Sequence, residues 1–176
     1  MRVILTAKEI EAAIDGIADG IIAGRGDAEL AVIGVRSRGE VIAQRLAEKL
    51  SEKIGEDVPC GTLDITLYRD DLNMPPHPGC AQPEVRTTEI GFDIDDKDII
   101  LVDDVLFTGR STRAALDALI DLGRPRRIKL AVLVDRKGRE FPIQSDYMGL
   151  KADVEPGEFV EVNLIESDGK DEVIVA

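Results

Sequence analysis

A chain of 176 residues with 44% apolar side chains is long enough for one domain around a sizeable core. Its 35 Asp and Glu outnumber 22 Lys and Arg, and the net charge of −13 opposes general affinity for nucleic acid, because polyanions repel. No long apolar run or signal-peptide core is present, so no membrane association is expected and a cytoplasmic chain is, with Cys60 and Cys80 as free thiols that lack any zinc spacing.

Thr6-Ala7-Lys8-Glu9 has the capping-box pattern, and Ile10, Ile14, Ile17 and Ile21 recur at helical spacing, which predicts a first helix over 7–23. Gly24-Arg25-Gly26-Asp27 stops it, and the Arg-Gly-Asp tripeptide reads as part of that stop. Residues 31–35 form a short buried strand, and Ile42, Leu46 and Leu50 mark a second helix over 40–53. Between them, Arg36-Ser37-Arg38-Gly39 offers two guanidiniums near a glycine, suited either to a bidentate grip on a diphosphate or to a solvated turn.

Residues 63–68 alternate as a half-buried strand does and end in Arg69-Asp70-Asp71. The Pro- and Gly-rich stretch over 73–82 reads as a mobile functional loop, in which His77 has no positioned acidic neighbour and receives no role. Residues 98–102 are a buried strand. Ala115, Leu116, Leu119, Ile120 and Leu122 give the next helix its apolar face, Gly123 and Pro125 stop it, and 128–134 is a further strand. The repeat of strand, loop, helix and strand predicts an α/β fold, a doubly wound, mostly parallel sheet with ligands at its carboxyl edge. A strand over 159–164 and an acidic tail close the chain. The basic clusters at Arg124 to Lys129 and Arg136 to Arg139 read as solvated rim, with a specific anionic partner left open.

Three Asp-Asp pairs occur, and their settings differ. Asp95-Asp96 sits in a turn before a strand, and Asp70-Asp71 borders the loop. Only Asp103-Asp104 ends an apolar strand, Ile99-Ile100-Leu101-Val102, and leads through Val105, Leu106 and Phe107 into Thr108-Gly109-Arg110-Ser111-Thr112 at a helix start. Hydroxyls and helix-opening N–H groups suit phosphate, while two carboxylates suit sugar hydroxyls or a hard cation such as Mg²⁺. The combination points to a phosphorylated sugar.

This segment resembles the phosphoribosyl-pyrophosphate (PRPP) signature of type I phosphoribosyltransferases. Together with Leu63 to Leu72, Gly123-Arg124-Pro125 and Leu130 to Arg136, it is similar to the PyrR family of pyrimidine-operon regulators with uracil phosphoribosyltransferase activity, over about residues 3–149. The resemblance implies the type I phosphoribosyltransferase fold as a single domain over 1–176, with a small hood from the terminal segments and a mobile loop at about 70–92. It implies PRPP held by Asp103, Asp104, Val105, Leu106, Phe107, Thr108, Gly109, Arg110, Ser111 and Thr112, with the acidic pair on the ribose hydroxyls and the loop on the 5′-phosphate. Pyrophosphate falls to Arg36, Ser37, Arg38, Gly39 and Arg69, and catalysis to Asp103, Asp104 and Arg69. Mg²⁺ is the implied cofactor, met indirectly by Asp103 and Asp104 through ribose or water.

Asp135, Arg136, Tyr147 and Met148 are the implied base site, with Tyr147 either the stacking platform or an ordinary core tyrosine. Substrates and products are PRPP, uracil, UMP and pyrophosphate, and a homodimer or higher homo-oligomer is implied. The resemblance also implies UMP-sensing control of pyrimidine gene transcription by binding a leader RNA, here through Lys137 and Arg139. Gly138, Gln144 and Leu150 stand where the family often has basic residues, which leaves open an enzyme that has lost RNA binding. A purine phosphoribosyltransferase, alike in the phosphate loop and different in the base pocket, is the other alternative.

Overall fold

The computed structural model describes residues 1–74 and 84–176. Most of the predicted loop, with His77 and Cys80, lies outside them. Five parallel strands form the main sheet: β2 (Leu30–Val35), β3 (Cys60–Leu63), β4 (Asp98–Leu106), β5 (Arg127–Arg136) and β6 (Tyr147–Ala152), in the order β3-β2-β4-β5-β6. Helices α1 (Ala7–Gly24) and α2 (Arg38–Ile54) cover one face, and α3 (Arg110–Leu122) covers the other.

The alternation along β4 explains the two layers. Ile100 and Val102 join the α1 and α2 side chains in one core, while Ile99 and Leu101 join the alanines of α3 in the second. A strand buried on both faces reads as a continuous apolar run, and each fully buried Ile or Leu contributes about 1.5–3 kcal/mol. The α1 capping box is formed, with Thr6 N–H and Oγ1–H both donating to Glu9 Oε2 at 2.8 and 2.7 Å. A second sheet, antiparallel and ordered β1-β8-β7, joins β1 (Arg2–Thr6) to β7 (Val160–Asn163) and β8 (Glu172–Val175), with the short α4 (Ile165–Asp168) between the last two.

Chain direction places the functional loops. After β2 the chain steps outward to β3 and then returns to the other side of β2 as β4, so the switch point falls between β2 and β4. Gly34 pairs in register with Val102, so the residues that follow each, Val35-Arg36 and Asp103-Asp104, lie side by side at the carboxyl edge. A Cβ on Gly34 would lie 2.5 Å from Glu40 Cα and from the Gly39 carbonyl, so only glycine lets α2 start this close to the sheet.

Several expectations are corrected. The strand over 63–68 ends at Leu63, and Thr66–Tyr68 is a 3-10 turn, because the Asp64 carboxylate accepts Thr66 Oγ1–H at 2.7 Å and pulls the chain out of the sheet. The second helix begins at Arg38, which puts Arg38 and Gly39 in its first turn. β4 continues to Leu106, so the acidic pair lies inside the strand. On α3, Ile120 and Leu122 are exposed and the buried face is Thr112, Ala114, Ala115, Ala118 and Leu119. No helix among the described residues is long and apolar enough to cross a membrane.

Candidate active site

A cleft of about 250 Å³ opens at the switch point, lined by Arg36, Ser37 and Arg38 from the β2–α2 connection, Asp64, Ile65, Thr66 and Arg69 after β3, Asp103, Asp104 and Val105 of β4, and Ser111 of α3. Three segments distant in sequence thus bring three guanidiniums to face two carboxylates. A hollow of about 770 Å³ at the amino edge, between Asp95 and Ile128, is larger. Its carboxylate is already engaged, since Asp95 Oδ1 accepts Arg124 N–H at 2.6 Å as part of a turn in which Asp96 has φ 57°. Convergent charge, rather than volume, marks the smaller cleft.

Each aspartate of the pair accepts the next backbone N–H, Asp103 Oδ1 from Asp104 at 2.9 Å and Asp104 Oδ1 from Val105 at 2.7 Å. Burial, reinforced by the neighbouring Asp104 charge, pushes the Asp103 carboxyl well above the ordinary carboxylate range. Gly39 lets this happen. A Cβ there would lie 2.8 Å from the Val102 carbonyl oxygen and 3.3 Å from Asp103 Oδ1, so the start of α2 closes over the pair only without a side chain.

The arginines are held from outside. Arg36 donates from Nε to the Thr87 carbonyl at 2.8 Å and pairs with Glu40 and Glu89, which ties the cleft to the segment returning along β3. The Asp64 carboxylate accepts Arg86 N–H at 2.8 Å in the same tie, and Thr62 bridges Glu89. Arg38 pairs with Asp168 of α4 at 3.0 Å. Arg69 is gripped by Asp71 through two bonds of 2.8 and 2.6 Å. The sequence reading missed Val35, Asp64, Ile65 and Thr66 as cleft residues; the signal available for Asp64 was a Thr two positions later, the spacing of an Asx turn.

The phosphate-type loop turns sharply at Gly109, with φ 91°, and α3 begins at Arg110, whose N–H donates to Thr108 Oγ1 at 3.3 Å. Ser111 reaches the cleft, whereas Leu106 and Thr112 are packed in the core. The Arg110 side chain points elsewhere, toward Asp70 and Glu140.

A family model described as phosphoribosyl transferase domain matches residues 3–165. The Bifunctional protein PyrR of Deinococcus deserti is 54% identical over 171 residues, 97% of this chain and 91% of that protein. The chain belongs to the PyrR family. The Bifunctional protein PyrR of Thermus aquaticus is 50% identical, covering 97% of this chain and 92% of the other. A hypoxanthine-guanine phosphoribosyltransferase structure from Bacillus anthracis superposes with TM-score 0.71 over all of this chain and 97% of that one, and the hypoxanthine enzyme of Trypanosoma cruzi with 0.69 over 99% and 95%. At 17% and 19% identity these two carry the fold alone. The PyrR-family chain is therefore a phosphoribosyltransferase with an α/β architecture.

Beside the cleft this PyrR-family chain has a second hollow of about 400 Å³, lined by Asp135, Arg136, Lys137, Gly138, Arg139, Gln144, Ser145, Met148 and Lys151. Met148 faces it. Tyr147, on the opposite face of β6, packs against α1, where Cβ atoms built on Gly20 and Gly24 would lie 3.2 Å from its ring and 3.1 Å from its hydroxyl. Of the two readings of Tyr147, packing is the one the structure adopts, because strand alternation sends adjacent residues to opposite faces. Asp135 is buried and accepts from Arg139 at 2.6 Å and Ser145 at 2.8 Å. Arg139 also donates to the carbonyls of Leu106, Phe107 and Arg136, so its guanidinium acts as an internal brace. The Arg136 guanidinium stacks over Phe107 at 4.1 Å, and a Cβ on Gly138, at φ 111°, would lie 2.3 Å from that ring. Lys137 is exposed and pairs with Asp153.

Proposed function

We propose that this chain makes UMP and pyrophosphate from uracil and PRPP, and that UMP-dependent binding of a pyrimidine-gene leader RNA is its second activity. The observation that carries the enzymatic reading is the cleft in which Asp103 and Asp104 face Arg36, Arg38 and Arg69 beside the start of α3. Membership of the PyrR family supports uracil as the acceptor and RNA as the partner, and the relatives' name, Bifunctional protein PyrR, agrees with two activities.

In this reading the C1′–O bond to pyrophosphate breaks as the uracil N1–C1′ bond forms, and N1 loses its proton. Negative charge gathers on the leaving oxygens while the ribose becomes oxocarbenium-like, so preformed cations aimed at the diphosphate lower the barrier. Arg36, Ser37, Arg38 and the Gly39 N–H hold that diphosphate with Arg69. Asp103 and Asp104 hold the ribose hydroxyls, and the turn from Thr108 to Ser111 with the first amides of α3 holds the 5′-phosphate. Asp104, on the wall of the cleft, is the carboxylate assigned to take the N1 proton. The three-stranded terminal sheet serves as the hood, and Asp135, Arg136 and Met148 bound the uracil.

Asp103 and Asp104, with no cluster of three or more metal-ligating side chains among the described residues, fit Mg²⁺ that arrives with a polyphosphate and keeps most of its waters. Asp103 and Asp104 would hold it through water or ribose, and when bound it neutralises charge on the departing pyrophosphate.

Incubation of the protein with PRPP, Mg²⁺ and each nucleobase in turn tests the reading. Uracil should give UMP and pyrophosphate, and Asp103→Asn or Asp104→Asn should lower turnover by about 10²–10³. Reaction of hypoxanthine or guanine with none of uracil would overturn the pyrimidine assignment.

A further inference from the structure

Of the two Asp-Asp pairs outside the mechanism, Asp95-Asp96 lies at the amino edge and Asp70-Asp71 lies beside the cleft. Asp70-Asp71 follows the 3-10 turn, and each member holds an arginine of the site: Asp71 accepts from Arg69 Nε and Nη2 at 2.8 and 2.6 Å, and Asp70 pairs with Arg110 in the first turn of α3. The Arg69 fork lines the cleft, yet its Nε–Nη2 edge is filled by a carboxylate in the bidentate geometry that a phosphate oxygen pair also adopts. One edge of a guanidinium cannot serve two anions at once.

The base of this segment is fixed. Tyr68 Oη–H donates to Asp121 at 2.6 Å, and Arg113 Nη2 donates to the Tyr68 carbonyl at 2.9 Å, so the 3-10 turn is docked along α3. Beyond it the ion pair is open to solvent, the Arg69 side chain 39% and the Asp71 side chain 46% exposed. An exposed pair of this kind is weak enough for an anion of higher charge to displace.

We propose that Asp71 is a positioning residue that occupies Arg69 in the ligand-free protein, with Asp70 on Arg110 as the second tether, and that pyrophosphate competes with Asp71 for the Arg69 guanidinium. This rests on the assignment of Arg69 to pyrophosphate made above. The pair parks the arginine within reach of the cleft, and it is released when a diphosphate arrives.

Titration calorimetry of the full chain with Mg²⁺ and inorganic pyrophosphate tests it. Asp71→Asn should bind pyrophosphate about two- to fivefold more tightly than wild type, the size expected for removal of one exposed competing ion pair, and should lower the KM for PRPP in the same direction without a matching rise in kcat. Asp71→Glu keeps the charge and should return toward wild type. In an Arg69→Ala background, which itself should weaken pyrophosphate about tenfold or more, Asp71→Asn should have no further effect. Unchanged or weaker pyrophosphate binding in Asp71→Asn, or equal tightening in Asp71→Glu, overturns the competition. Wild-type affinity in Arg69→Ala instead overturns the assignment of Arg69 on which it rests.

Discussion

Asp103 works against the stability of its own fold. The folded state holds its proton more tightly than the unfolded chain does, because burial and the Asp104 charge oppose ionisation. Between the ordinary carboxylate value of 3.8 and the raised folded value, the native state therefore binds more protons than the unfolded one, and stability falls as pH rises through that window. Asp103→Asn removes the loss while keeping an oxygen for the Asp104 N–H. At pH 8 and without PRPP the variant should melt above wild type, by about 2–4 °C for each kcal/mol recovered, and the gap should close toward pH 4. Calorimetric melts across that range check it, and a variant that melts lower at pH 8 contradicts it. At this scale much of the cleft was legible from sequence. Arg36, Arg38, Arg69, Asp103 and Asp104 are charged residues that follow apolar runs in the sequence, where chemistry stands out from packing, and all five meet in one cleft. Tyr147 was not legible, since which of two adjacent strand residues faces a pocket depends on register.

The terminal elements are tied to the cleft by α2. Arg45 forms two forked pairs, with Glu166 at 2.9 and 2.6 Å and with Asp171 at 2.9 Å through both terminal nitrogens, and Arg38 reaches Asp168 from about two turns earlier on the same helix. Arg45 thus fixes α4 and with it the β7–β8 connection, while Arg38 presents the cleft with a guanidinium braced from the far side. Hydrogen bonds from Arg45 hold the carboxyls of Glu166 and Asp171 below their ordinary values. Carboxyls with depressed folded values stabilise the fold above the ordinary range, and that contribution is lost as pH falls through the lowered values. Arg45→Met should therefore destabilise the protein at pH 7 by about 1–2 kcal/mol, the half-exposed Glu166 limiting the figure through solvent screening. Denaturant unfolding at pH 7 and pH 3 checks it; the difference from wild type should shrink at the lower pH. The long elements α1, α2, β4 and β5 were legible because their apolar periods run unbroken, whereas β1, β6 and β8 were not. These last are short, and β1 and β6 lie at sheet edges, where only one neighbour holds the strand and local pattern says little.

Charge at the scale of the whole molecule bears on RNA. In a chain of net charge −13, most cations of the described residues are already paired with carboxylates, so the field around the protein repels a polyanion except where cations stand clear of their partners. Around the 400 Å³ hollow Lys151 is exposed, and Lys137, 67% exposed, is held only by the likewise exposed Asp153, a weak pair that a phosphate can replace. Arg139 is spent on Asp135 and three carbonyls, and Gly138 accepts no larger residue without moving Phe107. Leader RNA bound at this face should then release few counterions, and the slope of log affinity against log salt should be shallow, about −1 to −2. Gel shifts with a pyrimidine-gene leader and UMP, between 50 and 200 mM salt, should show about a tenfold loss of affinity, and Lys137→Ala should flatten the slope by just under one. Arg139→Ala is the wrong probe, since it removes the brace under Phe107 along with a charge. A slope of about −5 or steeper that Lys137→Ala leaves unchanged would move the RNA to other cations, of which the cluster from Arg124 to Lys129 at the amino edge of the sheet is the densest.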